Sequence, residues 1–168
     1  EAIAATQSRF CEDKVVTLAK DVEIEQMITV ANGVELTLDL NGKTLAATDK
    51  TSKNYSAIDN RGDLTIVDSS ESENEPGTGK ITVTATVNSG WNRYSAVIAN
   101  NPGGKLTVMS GTIEHIGGTD MAYGIDNLTN GKGTYAETII SDGTIKSPYR
   151  AIRMFLNGIE ADNILTVN

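Results

Sequence analysis

Three short motifs recur in a fixed order along the chain, at intervals of about thirty residues. The first begins with tyrosine, the second reads Leu-Thr-aliphatic, and the third is a glycine followed two or three positions later by an aliphatic residue. Successive tyrosine motifs after the first begin 39, 29 and 26 residues further on. Such self-similarity indicates a repeat protein, in which each unit buries its apolar side against its neighbours. The motifs begin at Tyr55, Tyr94, Tyr123 and Tyr149; at Leu36, Leu64, Leu106 and Leu165; and at Gly42, Gly79, Gly111 and Gly143.

The pattern within each repeat predicts three short β-strands. Alternation with a period of two places Leu106 and Val108 inside and Thr107 outside. The longest interval contains residues 68–78, rich in Ser, Glu, Asn, Pro and Gly, which indicates a loop inserted between two strands. The spaced Leu and Asn pattern of leucine-rich repeats is absent, as is helical periodicity after Leu18. We therefore predict an all-β protein, a right-handed single-stranded parallel β-helix of about five coils with three strands each.

This fold makes specific side-chain predictions. The tyrosines, which recur at one place in each coil, are predicted to form a structural stack. Asn60, Asn127 and Asn157 are predicted to be turn residues that bond neighbouring coils. Eight aliphatic side chains are expected in one continuous core, with parallel pairing between successive repeats: Leu38, Leu64, Ile66, Leu106, Val108, Ile113, Ile140 and Ile145.

The two ends of the chain differ from the repeat. Residues 1–14 combine Ile3 and Phe10 with polar positions, which predicts an amphipathic helix that caps the first coil and covers its strand edges. The β-helix domain is assigned to residues 15–168. Because Leu165 restarts a motif that is not completed, we expect the natural protein to continue beyond Asn168.

Charge and composition exclude several partners. The 22 acidic against 14 basic residues give a net charge of −8, which argues against nucleic acid and against anionic membrane surfaces. No apolar run approaches 18 residues, so membrane insertion is not expected. Cys11 is the single cysteine and cannot form an internal disulfide. Nothing in the sequence brings it near His115, so we expect a small buried hydrophobe rather than a catalytic thiol.

Two segments resemble a known class of domain. Residues 15–22 read VVTLAKDV and residues 36–45 read LTLDLNGKTL, and both are similar to the opening coils of pectin-lyase-like β-helix domains. The resemblance covers about residues 13–168. Such domains are frequent in large secreted or surface proteins of gut bacteria and in phage virion fibres. The resemblance implies the fold but not an activity, since this scaffold carries lyases, hydrolases, adhesins and tail spikes.

The enzymes of that class need constellations that this sequence lacks. Lyases use clustered carboxylates that hold calcium plus an Arg or Lys base, and hydrolases use grouped aspartates. Asp59 and Asp126 occupy similar places in their coils, but an intervening coil separates them by ~10 Å. Arg150 and Arg153 are the residues that could supply a lyase base, although exposure to solvent or pairing with Asp126 and Asp142 is favoured. We predict no catalytic residues, no metal site and no cofactor.

The most suggestive stretch for binding is Trp91, Asn92, Arg93 and Tyr94. Aromatic faces stack on the C–H surfaces of sugars, while an amide and a guanidinium bond the hydroxyls. These four residues are therefore the predicted glycan-binding site. The alternative is that Trp91 covers a gap where the inserted loop leaves the stack.

The sequence thus favours a non-enzymatic extracellular β-helix module, structural or glycan-binding, of a larger bacterial surface protein. Its expected partner is a polysaccharide or a cell-surface glycan. A phage fibre or spike segment, located in the virion, is the second hypothesis. A polysaccharide lyase or hydrolase whose catalytic coils lie outside this chain is the third.

Overall fold

The computed structural model describes residues 14–51, 53–86, 93–118, 120–130, 135–157 and 162–168. In these ranges the chain forms strands, and no helix there is long and apolar enough to cross a membrane. The predicted capping helix lies outside the described residues, apart from Lys14. The strands are β1 (Val15–Thr17), β2 (Val22–Ile24), β3 (Ile28–Val30), β4 (Glu35–Asp39), β5 (Thr44–Asp49), β6 (Tyr55–Asn60), β7 (Asp63–Val67), β8 (Lys80–Ala85), β9 (Ser95–Asn100), β10 (Lys105–Val108), β11 (Thr112–Ile116), β12 (Ala122–Asn130), β13 (Tyr135–Ile140), β14 (Thr144–Lys146), β15 (Arg150–Asn157) and β16 (Asp162–Val167).

Every third strand along the chain belongs to the same sheet. Sheet A has the order β1-β4-β7-β10-β13-β16, sheet B the order β14-β11-β8-β5-β2, and sheet C the order β15-β12-β9-β6-β3. All of these neighbours pair in parallel. In the described residues, five coils of three strands are followed by β16, which starts another turn on sheet A. The predicted right-handed parallel β-helix is confirmed.

The core follows the predicted alternation. Leu64 pairs with Leu106 and Ile66 with Val108, and all four side chains are fully buried, whereas Thr107 is half-buried on the outer side. Of the eight predicted core residues, seven are buried. Ile145 is half-buried and packs against the core, because its strand β14 lies at the edge of sheet B and has a neighbouring strand on one side.

An asparagine ladder (Asn60, Asn100 and Asn127) connects three coils inside the stack. The Asn60 Nδ2 donates to the Asn100 Oδ1 at 2.8 Å, and the Asn100 Nδ2 donates to the Asn127 Oδ1 at 2.9 Å. The prediction that Asn157 belongs to this ladder was wrong. Register pairs Asn127 with Met154, and Asn157 with the residue three positions beyond Asn127. The ladder therefore ends against the Met154 sulfur, which accepts from the Asn127 Nδ2 at 3.1 Å.

The predicted tyrosine stack is corrected as well. Tyr55 pairs with Ser95, the residue after Tyr94, whereas Tyr123 pairs with Ala96, so the tyrosines are staggered. Strand lengths and turns before sheet C differ between coils, and this variation shifts the tyrosines relative to the strand register. One pair remains in contact: the rings of Tyr123 and Tyr149 meet edge to face, 5.8 Å between centroids.

The predicted loop at residues 68–78 connects β7 to β8 and is fastened by Asp68. This buried carboxylate accepts the Gly42 N–H at 2.7 Å, the Gly79 N–H at 2.6 Å and the Ser70 hydroxyl at 2.8 Å. Burial alone would raise the pKa of Asp68, but these hydrogen bonds outweigh it and hold the pKa below its ordinary value. Asp68 therefore connects the inserted loop both to Gly42 in the preceding coil and to Gly79 in its own coil.

Candidate functional site

A lateral groove of about 530 Å³ lies beside sheet C. Its lining residues belong to β12 and β15 or adjoin the ends of β6 and β9, so four successive coils build it. Two aromatic rings, two amides and one guanidinium are combined there with apolar surface. The residues that line this lateral groove are Asn54, Arg61, Tyr94, Asn101, Pro102, Leu128, Thr129 and Phe155.

Register across sheet C places two carboxylates near the groove. Asp59, Ala99, Asp126 and Arg153 occupy one column on successive strands. The small Ala99 therefore separates Asp59 from Asp126 by two strand spacings, ~10 Å, as the sequence predicted. At this separation the carboxylates cannot share a proton, and each is instead paired with its own arginine.

Arg153 is held firmly by Asp126. Its Nε donates to the Asp126 Oδ1 at 2.6 Å and its Nη2 donates to Oδ2 at 2.5 Å, a bidentate arrangement. The Asp126 side chain is fully buried and that of Arg153 is 10 % exposed. Burial raises the pKa of Asp126 above its ordinary value, although the hydrogen bonds and charge of Arg153 act in the opposite direction.

The guanidinium of Arg153 also lies among three aromatic rings. Its central carbon is 4.3 Å from the ring centre of Tyr123, 4.7 Å from that of Phe155 and 5.6 Å from that of Tyr94. Cations over aromatic faces within about 6 Å are attracted by the ring quadrupole. The Asp126–Arg153 pair therefore fixes the two rings that line the groove relative to each other.

The second carboxylate is paired at the rim of the groove. Arg61 Nε lies 3.3 Å and 3.2 Å from the two oxygens of Asp59, and Arg61 Nη2 is 3.1 Å from Oδ2. The Asn101 Nδ2 also donates to Asp59 Oδ1. The Arg61 side chain is 57 % exposed, whereas that of Asp59 is 9 % exposed. Arg61 is therefore the exposed member of an ion pair whose other member, Asp59, is buried.

Tyr94 lies between the two ion pairs. Burial raises the pKa of its phenol above the ordinary value; Asp126 adds to this effect, and Arg153 opposes it. The backbone N–H of Tyr94 donates to the Asn54 Oδ1 at 3.1 Å, which links it to the coil below. The ring is half-buried and contributes one wall of the groove.

The other three residues of the predicted glycan-binding site are Trp91, Asn92 and Arg93. Trp91 and Asn92 lie outside the described residues. Arg93 is buried, pairs with the fully buried Asp49, and donates from Nε to the carbonyl oxygen of Lys53 at 2.8 Å. We therefore do not retain Arg93 as a residue that contacts sugar. The Arg93 guanidinium faces Asp49, a buried residue 44 positions earlier, and so it is not presented at the surface to a sugar hydroxyl.

Of the remaining candidates, Arg150 is exposed and lies over the ring of Tyr149 at 5.0 Å, away from any carboxylate partner in the described contacts. Arg153 forms the predicted pair with Asp126. A lyase base needs a free basic group facing its substrate, whereas Arg153 is held by Asp126 through its Nε and Nη2.

Sequence reasoning missed a buried serine–histidine contact. His115 Nε2 lies 2.9 Å from the Ser95 Oγ, and the two side chains are 2 % and 0 % exposed. The single histidine and the Tyr-Ser-Ala motif were both visible, but 20 positions separate the pair. A nucleophile must reach its substrate, and complete burial of Ser95 prevents this. The contact is structural.

A second cavity of about 630 Å³ adjoins β2 and β5, where Glu23, Glu25, Lys50 and Tyr55 are among the lining residues. It offers one aromatic ring and several flexible charged chains, so it is less suited to fix a ligand than the lateral groove. In the described parts of the chain, no group of three or more histidine, cysteine or carboxylate side chains is placed to hold a metal ion.

No protein-family model, curated protein or solved structure matches the chain. Fold and site define a parallel β-helix protein with a lateral groove across four coils.

Proposed function

We propose that this chain is an extracellular, carbohydrate-binding β-helix module of a larger bacterial surface protein, without catalytic activity of its own. The resemblance of residues 15–22 and 36–45 to pectin-lyase-like domains supports this setting. The lateral groove is the proposed binding site.

The observation that carries the proposal is the pairing of two aromatic rings with amides in one groove. Tyr94 and Phe155 offer apolar faces for the C–H surface of a sugar ring, and Asn54 and Asn101 both donate and accept hydrogen bonds. Phe155 is 40 % exposed although it lies on a strand. A groove of about 530 Å³ is within the range of sites that bind small ligands. This combination suits an amphipathic, hydroxyl-rich ligand.

The test is a glycan array, followed by calorimetry, on the parent and on Phe155→Ala. Losing a stacked ring should weaken binding by about 1–2 kcal/mol, roughly five- to thirtyfold, because apolar contact area is lost. Met109→Ala is the control, since Met109 is exposed in the turn from sheet A to sheet B, whereas the groove lies at the turns from sheet C to sheet A. The same preparations should release no reducing ends or unsaturated products from the bound glycan.

Two results would reject the proposal. One is a blank array with folded parent protein, which would leave a purely structural module. The other is equal loss of affinity in Phe155→Ala and Met109→Ala, because binding would then not depend on the lateral groove.

A further inference from the structure

We propose that the lateral groove selects uncharged glycans over anionic ones. This inference rests on the proposed function and names the ligand class of the same site. It follows from how the charges around the groove are already paired.

The buried pair presents no net charge to a ligand. Arg153 binds Asp126 through two hydrogen bonds of 2.6 and 2.5 Å, and both side chains are at most 10 % exposed. Releasing the guanidinium to an incoming carboxylate would leave Asp126 as an unpaired buried charge, which is strongly unfavourable. Arg153 therefore orders the aromatic walls and does not serve as an anion receptor.

The rim pair is constrained in the same way. Among the described residues that line the groove, Arg61 carries the only formal charge. Its partner Asp59 is 9 % exposed and would lose its paired cation if Arg61 turned to a ligand. An anionic sugar would thus compete with a buried carboxylate for one guanidinium, and it would approach a protein of net charge −8.

Uncharged hydroxyls meet no such conflict. They can bond to the amides of Asn54 and Asn101, and to the N–H groups of Arg61 that do not face Asp59, without separating either ion pair. Stacking of a sugar ring on Tyr94 and Phe155 does not depend on whether the sugar carries a carboxylate on its opposite side. The geometry therefore favours neutral hexose or pentose chains.

The experiment compares matched pairs of probes on the parent protein: neutral gluco-, galacto-, manno- and xylo-oligosaccharides beside uronic acid forms of the same length. Exposed charge interactions are worth up to about 1 kcal/mol, so each uronate should bind about two- to fivefold more weakly than its neutral partner. Equal or tighter uronate binding would overturn the selectivity while leaving glycan binding intact. Binding of neither class would overturn both proposals.

Asp59→Asn tests the cause. Removing the carboxylate frees Arg61, so the ratio of uronate affinity to neutral-glycan affinity should rise about two- to fivefold. Glu73→Gln is the matched control, because it makes the same change in net charge in the exposed loop between β7 and β8. A gain of the same size in both variants would overturn the local explanation.

A salt series on the parent provides a measurement that needs no variant. Between about 0.01 and 1 M salt the range of charge interactions falls roughly tenfold. Neutral-glycan affinity should remain unchanged, and uronate affinity should increase as repulsion is screened. A decrease of uronate affinity with salt would show net attraction by Arg61 and would overturn the inference.

Discussion

His115 lies buried in the corner where sheet B approaches sheet C. Its Nε2 contacts the Ser95 hydroxyl at 2.9 Å, and the charges of Asp49 and Arg93 act on its imidazole. Burial lowers the pKa of this imidazole below its ordinary value of 6.5; contributions from Gly117 and Asp49 oppose the shift, and Arg93 adds to it. The native state therefore favours neutral histidine.

This lowered pKa predicts a pH dependence of stability. Below the ordinary pKa of 6.5 the unfolded chain binds a proton that the folded chain resists. The free energy of unfolding should therefore be fully retained well above pH 6.5 and decrease as pH falls through and below 6.5. Chemical denaturation at several pH values measures this. His115→Gln should flatten the profile in that window, and a parent stability that rises toward pH 5 would contradict the assignment.

The asparagine ladder acts at the scale of the element, because it joins strands β6, β9 and β12 within sheet C. Asn100 is its centre: it accepts from Asn60 at 2.8 Å, and donates to Asn127 at 2.9 Å and to the Glu137 carbonyl oxygen at 2.8 Å. All three ladder side chains are fully buried. A buried polar network of this kind stabilises only while each member keeps its partners.

Asn100→Ala should therefore lower the free energy of unfolding by about 2–4 kcal/mol, since several buried polar groups lose a partner. Thermal and urea melts give the value. Asn74→Ala, at an exposed position of the loop between β7 and β8, should change stability by about 0.5 kcal/mol or less. Equal free energies of unfolding for the two variants would show that the ladder contributes little to stability.

Strand identity was predictable, whereas strand register was only partly so. Leu-Thr-aliphatic units such as Leu106 to Val108 carry a period of two, which fixes which face is buried. The tyrosine and asparagine columns depend on the number of residues in each turn, and nothing local in the sequence sets that number. Tyr55 and Asn157 were misplaced for this reason, by shifts of one and three positions.

At the scale of the whole molecule, the stack brings together residues from position 54 to position 155 in one groove. Tyr94 was identified from its neighbourhood of aromatic and amide residues. Phe155 was missed, because a single phenylalanine in a strand carries no signal of exposure. Arg93 was assigned to the binding surface because nothing in the sequence connects it with Asp49, its ion-pair partner one coil earlier in the chain.

The most direct test of glycan binding in the lateral groove is an ¹H–¹⁵N chemical-shift titration of the parent with the tightest-binding neutral oligosaccharide from the array. The largest shift changes should fall on the backbone amides of Tyr94, Asn101 and Phe155, with sheet B unaffected. Changes centred on sheet B, for example at Thr112 and Glu114, or no changes at a saturating concentration, would contradict the assignment of the groove as the binding site.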